Sequence, residues 1–283
     1  MALVINSNIA SLNAQRNLAS STRALSKSYQ RLSSGLRINT ASDDAAGLAI
    51  SQRMTAQING LNQAVSNAND AISVIQIGDG ALSQTTDNLQ RMRELAVQAA
   101  NDTNVTSDRT DLQKEINQLA LEISRIANTS QFNNQNLLSG GVAGGITFQV
   151  GANQNQTITV SIGAMGASAL GVDTMNMASF TMGTTQSANQ AAAESAISKI
   201  DHAIDSVTSM RATLGAMQNR FEAVVSNLSN ISLNTSTARS RIMDADIAAE
   251  TANMTQNNIM QQAGTAVLAQ ANQQPALILK LLQ

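Results

Sequence analysis

The chain has 283 residues, a net charge of −2 and only 13% charged side chains, a balance that argues against an electrostatic nucleic-acid binder. No Trp, one Tyr, four Phe and one Pro leave few rings for a thick core and almost no helix breaker, so long helices with thin Ala, Leu, Ile, Val and Met seams are expected. With no Cys there is neither a disulfide nor a thiolate metal site.

The first fourteen residues lack a basic region followed by an apolar run, so no cleavable signal peptide is expected. No stretch reaches the ~18–20 apolar residues of a membrane span, so no membrane role is expected. From Ile5, apolar Ile9 and Leu12, then Leu25, Tyr29, Leu32 and Leu36, step by three or four, the spacing of a helical seam. Arg16 and Arg23 interrupt the stripe, which makes the first helix weakly amphipathic. Ser33-Ser34-Gly35 reads as its break, and 37–46 as a turn in which Ser42-Asp43-Asp44 caps the next helix.

That helix is predicted from about Asp43 to Ala100. Ala68, Ile75, Leu82, Leu89 and Ala96 recur every seven residues, with Ile72, Met92 and Ala99 in the second seam position. At ~1.5 Å per residue it would be roughly 85 Å long. After a turn at 101–106, Ser107 or Asp108 is expected to cap a helix with Leu112, Ile116, Leu119, Ile123 and Ile126 in a 4-3-4-3 seam.

Glycines punctuate the stretch from Thr129 to Gln190, and the alternation in Ile146–Val150 and Thr157–Ile162 predicts a β-hairpin around Asn153-Gln154-Asn155. Helix resumes near Gln190, with Ile197, Ile200, Ile204, Val207, Leu214, Met217, Phe221, Val224, Leu228 and Ile231 along one seam. A last helix is predicted from about Arg239 to Gln273, with Ile247, Met254, Met260, Ala263 and Val267 as weaker apolar points, before Pro275 and an apolar tail. The fold class is therefore mainly α: long antiparallel helices from both termini around a small central β-hairpin. Apolar faces at both ends call for partners.

Several motifs carry a family resemblance. Ile5-Asn6-Ser7-Asn8 with Leu12-Asn13-Ala14-Gln15 opens the chain as bacterial flagellins do. Ser33 to Asn39 and Asp43 to Ile50 resemble that family's N-terminal block, and Gln90 to Gln98 its central motif. Ala238 to Ile242 and Gln261 to Asn272 resemble its C-terminal signature. The resemblance spans about 1–140 and 190–275.

It implies a helical filament subunit for swimming motility, exported unfolded by a type III apparatus to the cell exterior. Residues 1–40 with 240–283 would form a coiled-coil filament core, 41–129 with 190–239 a helical rod domain, and 130–189 a short variable surface region. The polymerisation core would include Ile5, Ile9, Leu12, Leu25, Leu32, Ile247, Met260, Val267 and Leu268. Implied partners are other copies of the chain, an export chaperone, a filament cap and hook–filament junction proteins. Gln90, Arg91, Glu94, Leu95, Gln98 and Glu115 resemble the patch read by an innate immune Toll-like receptor. Ser168, Ser179, Thr181, Thr184 and Thr185 are candidates for O-linked glycans. Arg31 and Asp43-Asp44 are read either as intersubunit contacts or as solvated caps. Weak terminal helices that order only on assembly fit this scheme.

Chemistry has little to stand on. His202 is the only histidine, the HExxH zinc motif is absent, and Ser139–Gly145 lacks the Lys-Ser/Thr of a phosphate loop. No catalytic residue, cofactor or metal is expected. A hook–filament junction protein and a secreted helical effector are the alternatives.

Overall fold

The computed structural model describes residues 8–101, 103–142, 144–173 and 186–281, without side-chain detail at 106, 186–191 and 274–281. The described residues form helices α1 (Ile9–Ser34), α2 (Ala45–Ala100), α3 (Thr106–Thr129), α4 (Gln186–Met243) and α5 (Ile247–Leu281), with strands β1 (Gln131–Phe132), β2 (Gln135–Asn136), β3 (Ile146–Gln149) and β4 (Thr157–Val160). The chain divides into two compact units, one of Met1–Ile58 with Leu233–Gln283 and one of Asn59–Ser232.

In the first unit α1 lies antiparallel to α5. Asn8 caps α1 by accepting from Ser11 N at 3.0 Å and donates to Ala271 O at 2.8 Å. Ser11 Oγ donates to Asn272 Oδ1 at 2.7 Å, and at the other end Arg31 meets Glu250 at 3.6 Å. The α1 residues buried are Ser11, Ala14, Leu25 and Ser28, mostly small ones, so the helices share a thin seam. Gly35 ends α1 in the left-handed conformation (φ 69°) that a side chain resists.

The connector that follows has its own packing. Ile38 is 1% exposed and packs close to Gly47: a Cβ there would sit 2.7 Å from Ile38 Cδ1, so a larger residue would push the Ile38 side chain aside. Asp44 accepts from Gly47 N at 2.9 Å and opens α2, in keeping with the expected cap cluster. The start of the last helix differs from expectation: α4 runs on to Met243, and a three-residue connector separates it from α5. Asp246 sets the new start by accepting from Ala248 N and Ala249 N at 2.9 and 3.2 Å. Nor does α5 stop at Gln273. Its backbone passes Pro275, because one missing N–H removes a single helical hydrogen bond and good helix formers follow.

In the second unit α2, α3, α4 and the β segment share one core. Ala68, Ile75, Leu82, Leu89 and Ala96, the heptad positions, are all buried, as are Met92, Ile116, Ile123, Ile200, Val207, Leu214 and Phe221. Polar pairs hold α2 and α4 antiparallel: Asn62 with Ser232 at 3.0 Å, Asp79 with Arg211 at 2.9 Å, and Arg93 with Asp201 at 2.7 Å. Residues β3 and β4 pair as Ile146 with Val160 and Phe148 with Ile158, the predicted hairpin. Phe148 meets Phe221 of α4 edge to face at 6.0 Å, which seats the hairpin on the core.

Two local features go beyond the sequence reading. A second hairpin, β1–β2, turns through Asn133 (φ 46°) and Asn134 (φ 63°), both left-handed, as a two-residue turn requires. Asn tolerates that conformation better than other non-glycine residues. At the start of α3 the expected cap residues shift: the helix begins at Thr106, and Asp108 acts from its third position by accepting from Val105 N at 3.1 Å.

Candidate functional site

The first unit leaves one face of α5 uncovered. Ile247, Thr251, Thr255 and Ile259 step by four along it, with Ala248, Ala252, Gln256 and Met260 beside them, and together they line a shallow apolar trough. A helix in water turns such a stripe towards a partner. Ile259 is 60% exposed and Met260 and Val267 more than half. On α1, Ile9 is 63% exposed and Leu12 about half.

The structure therefore sorts the predicted polymerisation residues into two groups. Ile9, Leu12, Ile247, Met260 and Val267 point outward, whereas Leu25 is buried within the unit and Leu32 and Leu268 are half-buried. Ile5 lies outside the described residues. Ile259, which the sequence reading left out, belongs with the outward group: it sits four residues beyond Thr255 on the row that starts at Ile247.

Arg31 and Asp43 turn inward within the same unit instead of standing free. Arg31 faces Glu250, itself buried, and Asp43 accepts from Lys27 Nζ at 2.7 Å, Thr40 N at 3.1 Å, Thr40 Oγ1 at 3.2 Å and Asn39 N at 3.3 Å. The Lys27 ammonium, helped by the Thr40 and Asn39 amides, holds the Asp43 carboxyl far below the usual carboxylate range. Arg16 and Arg23, seven residues apart on α1, are both exposed.

In the second unit Gln90, Arg91, Glu94 and Gln98 of α2 are exposed, and Glu115 of α3 is brought beside them. Arg91 Nη1 donates to Glu94 Oε2 at 3.0 Å and its Nε to Glu115 Oε1 at 2.9 Å, and these two carboxylates push the guanidinium pKa up. Gln90, Arg93, Glu94, Val97 and Gln98 border a shallow depression. Leu95 differs from the rest: at 1% exposure it belongs to the core and holds α2 in place under the patch.

Ser168 is exposed in a turn closed by Gly171 N donating to Ser168 O at 3.2 Å. Ser179, Thr181, Thr184 and Thr185 lie outside the described residues. His202 is exposed on α4, and among the described residues no three His, Cys, Asp or Glu side chains gather in a way that would hold a metal. No helix of the described residues is long and apolar enough to cross a membrane.

The chain is similar to known proteins at both ends and over nearly its whole length. Residues 5–143 match the bacterial flagellin N-terminal helical region and residues 197–282 the bacterial flagellin C-terminal helical region. A flagellin of Halalkalibacterium halodurans is 47% identical over 281 residues, covering 99% of this chain and 100% of that one. A flagellin of Bacillus subtilis is 45% identical over 303 residues, covering 99% of each. A putative flagellar hook-associated protein from Vibrio parahaemolyticus shares the fold, with a TM-score of 0.62 over 71% of this chain and 100% of that one, at 16% identity. Matched family regions at both ends, and relatives this similar over nearly their whole length, place the chain in the bacterial flagellin family.

Proposed function

We propose that this chain, a structural subunit of the extracellular flagellar filament, polymerises through the uncovered faces of α1 and α5. The observation that carries this is the apolar trough from Ile247 to Met260, lined among the described residues by α5 side chains and continued by exposed Val267. Burying such surface contributes roughly 25 cal/mol per Å², so exposed Ile, Met and Val at this density favour a second copy over water. Ile9, Leu12, Ile247, Ile259, Met260 and Val267 would then meet neighbours, while Leu25, Leu32 and Leu268 fix the α1–α5 pair within each copy.

The reading extends to partners that family membership supports. The export chaperone would engage 240–283 before assembly, and the filament cap and hook–filament junction proteins would meet the same terminal faces. The Arg91-centred patch would be read by a Toll-like receptor through its exposed charged and amide groups. Residues 1–40 with 240–283, 41–129 with 190–239, and 130–189 would serve as filament core, surrounding layer and outer surface. Ser168, Ser179, Thr181, Thr184 and Thr185 would be the glycan-bearing hydroxyls. The chain would act without catalysis, since His202 stands alone and a structural polymer needs none.

Seeded growth from filament fragments, followed by electron microscopy, tests the central claim. Full-length chain is expected to extend the seeds, and a chain lacking 240–283 is not. A full-length chain that stays monomeric where a known flagellin grows would overturn it.

A further inference from the structure

In the first unit the two connectors, 35–44 after α1 and 244–246 after α4, are joined by backbone. Arg37 N donates to Met243 O at 2.6 Å and Ala245 N donates to Gly35 O at 2.9 Å, with Leu36 opposite Asp244 between them in an antiparallel bridge. This is the closer, non-hydrogen-bonded kind of pair. The Arg37 side chain adds to it: Nη2 and Nε both reach Ile242 O, at 2.6 and 3.2 Å. Ile242 is in the last turn of α4, where carbonyls lack helical partners and the helix dipole favours a cation. One residue thus contributes its amide and its guanidinium to two successive carbonyls some 205 positions away.

Residues on both sides of the bridge make further contacts of their own. Gly35 supplies the left-handed φ that turns the chain into it, and Ile38 is buried against Gly47 two residues further on from Leu36. Asp244 accepts from Ser240 Oγ at 2.5 Å, and Asp246 caps α5 just beyond. The start of α5 and the end of α1 are therefore tied at the same point, and their long seam runs on from it.

We propose that Arg37 is a positioning residue for filament growth: by capping α4 it holds the Leu36–Asp244 clasp, which sets α1 and α5 in the pairing that a neighbouring copy accepts. The proposal rests on the polymerisation reading above. Arg37 touches no part of the apolar trough; it acts through the clasp. Losing it leaves the second unit intact and loosens the two terminal helices together.

The test uses full-length chains grown from seeds. Arg37→Ala is expected to raise the critical concentration about fivefold, the equivalent of one charge-assisted helix cap, with Arg37→Lys between the two because it offers a single donor point. Because the chain has no cysteine, Leu36→Cys with Asp244→Cys gives one cross-link across the bridge, and in the Arg37→Ala background that cross-link is expected to restore growth. Hydrogen exchange on filaments supplies a readout independent of the cysteines: the Arg37 and Ala245 amides should be protected in the parent and less so in Arg37→Ala.

Three results would overturn the proposal. One is parental growth by Arg37→Ala. Another is a cross-linked Arg37→Ala chain that stays defective while the cross-linked parent grows, since Arg37 would then act on a neighbour directly. The third is rapid exchange of both amides in parent filaments, which would mean an open clasp. Failure of the parent itself to grow would count against the polymerisation reading, a separate outcome.

Discussion

Asp43 gathers an ammonium, two amides and a hydroxyl, and each donor favours its charged form. Its carboxyl pKa in the folded chain is pushed far down, first by Lys27 and then by the Thr40 and Asn39 amides. A depressed folded pKa means stability that is complete above the ordinary carboxylate value of about 4 and is lost as pH falls towards the folded value. The terminal unit should therefore weaken progressively below about pH 4. Comparing thermal unfolding of parent and Asp43→Asn filaments at pH 7 and pH 3 checks this: the variant should be weaker at pH 7, and the gap should narrow at pH 3. Asn133 and Asn134 make a different point at this scale. They turn the β1–β2 hairpin without glycine, because Asn pays little for a left-handed backbone.

Among the elements, α2 and α4 carry the second unit. Phe221 is fully buried on α4 and closes the β3–β4 hairpin onto the core through Phe148. Truncating it leaves a cavity among close-packed neighbours that relax only partly to fill it. Phe221→Ala should cost about 3–5 kcal/mol of stability, measurable by denaturant unfolding of the monomer. The ion pairs themselves are half-exposed and matter more for register than for energy. Element α5 is the opposite case. Among its described side chains only Glu250 and Ala271 are buried, and its order depends on α1 and on whatever covers its outer face.

At the scale of the molecule, a chain with one well-packed unit and one thin terminal unit divides its labour. The second unit folds around its own core, whereas the first exposes Ile9, Ile247, Ile259 and Val267, which on the proposed reading another copy covers. Met260→Asp places a charge in that face without touching the clasp or the core. Seeded growth should then require at least about tenfold more protein, since an unpaired buried charge costs more than the 1.4 kcal/mol that a factor of ten represents. Circular dichroism of the monomer should show its unfolding unchanged. Growth at the parental concentration would remove the α5 face from the interface.

Much of this was legible in the linear chain. The sevenfold recurrence from Ala68 to Ala96, the 4-3-4-3 seam of α3 and the alternation in Ile146–Val150 each report which side of an element is apolar, and burial follows that side. The family motifs at both termini were equally readable. What periodicity lacks is the identity of a distant partner. It could not separate Leu25, buried within its unit, from Ile9 and Leu12, which face out, because all three sit on helical spacing. Nor could it place the Arg37 guanidinium on Ile242 O, or Lys27 on Asp43, or end α4 at Met243 rather than near Arg239. Side-chain pattern sets the faces of the helices. Backbone carbonyls and caps brought together across some two hundred residues are decided only when those faces pack.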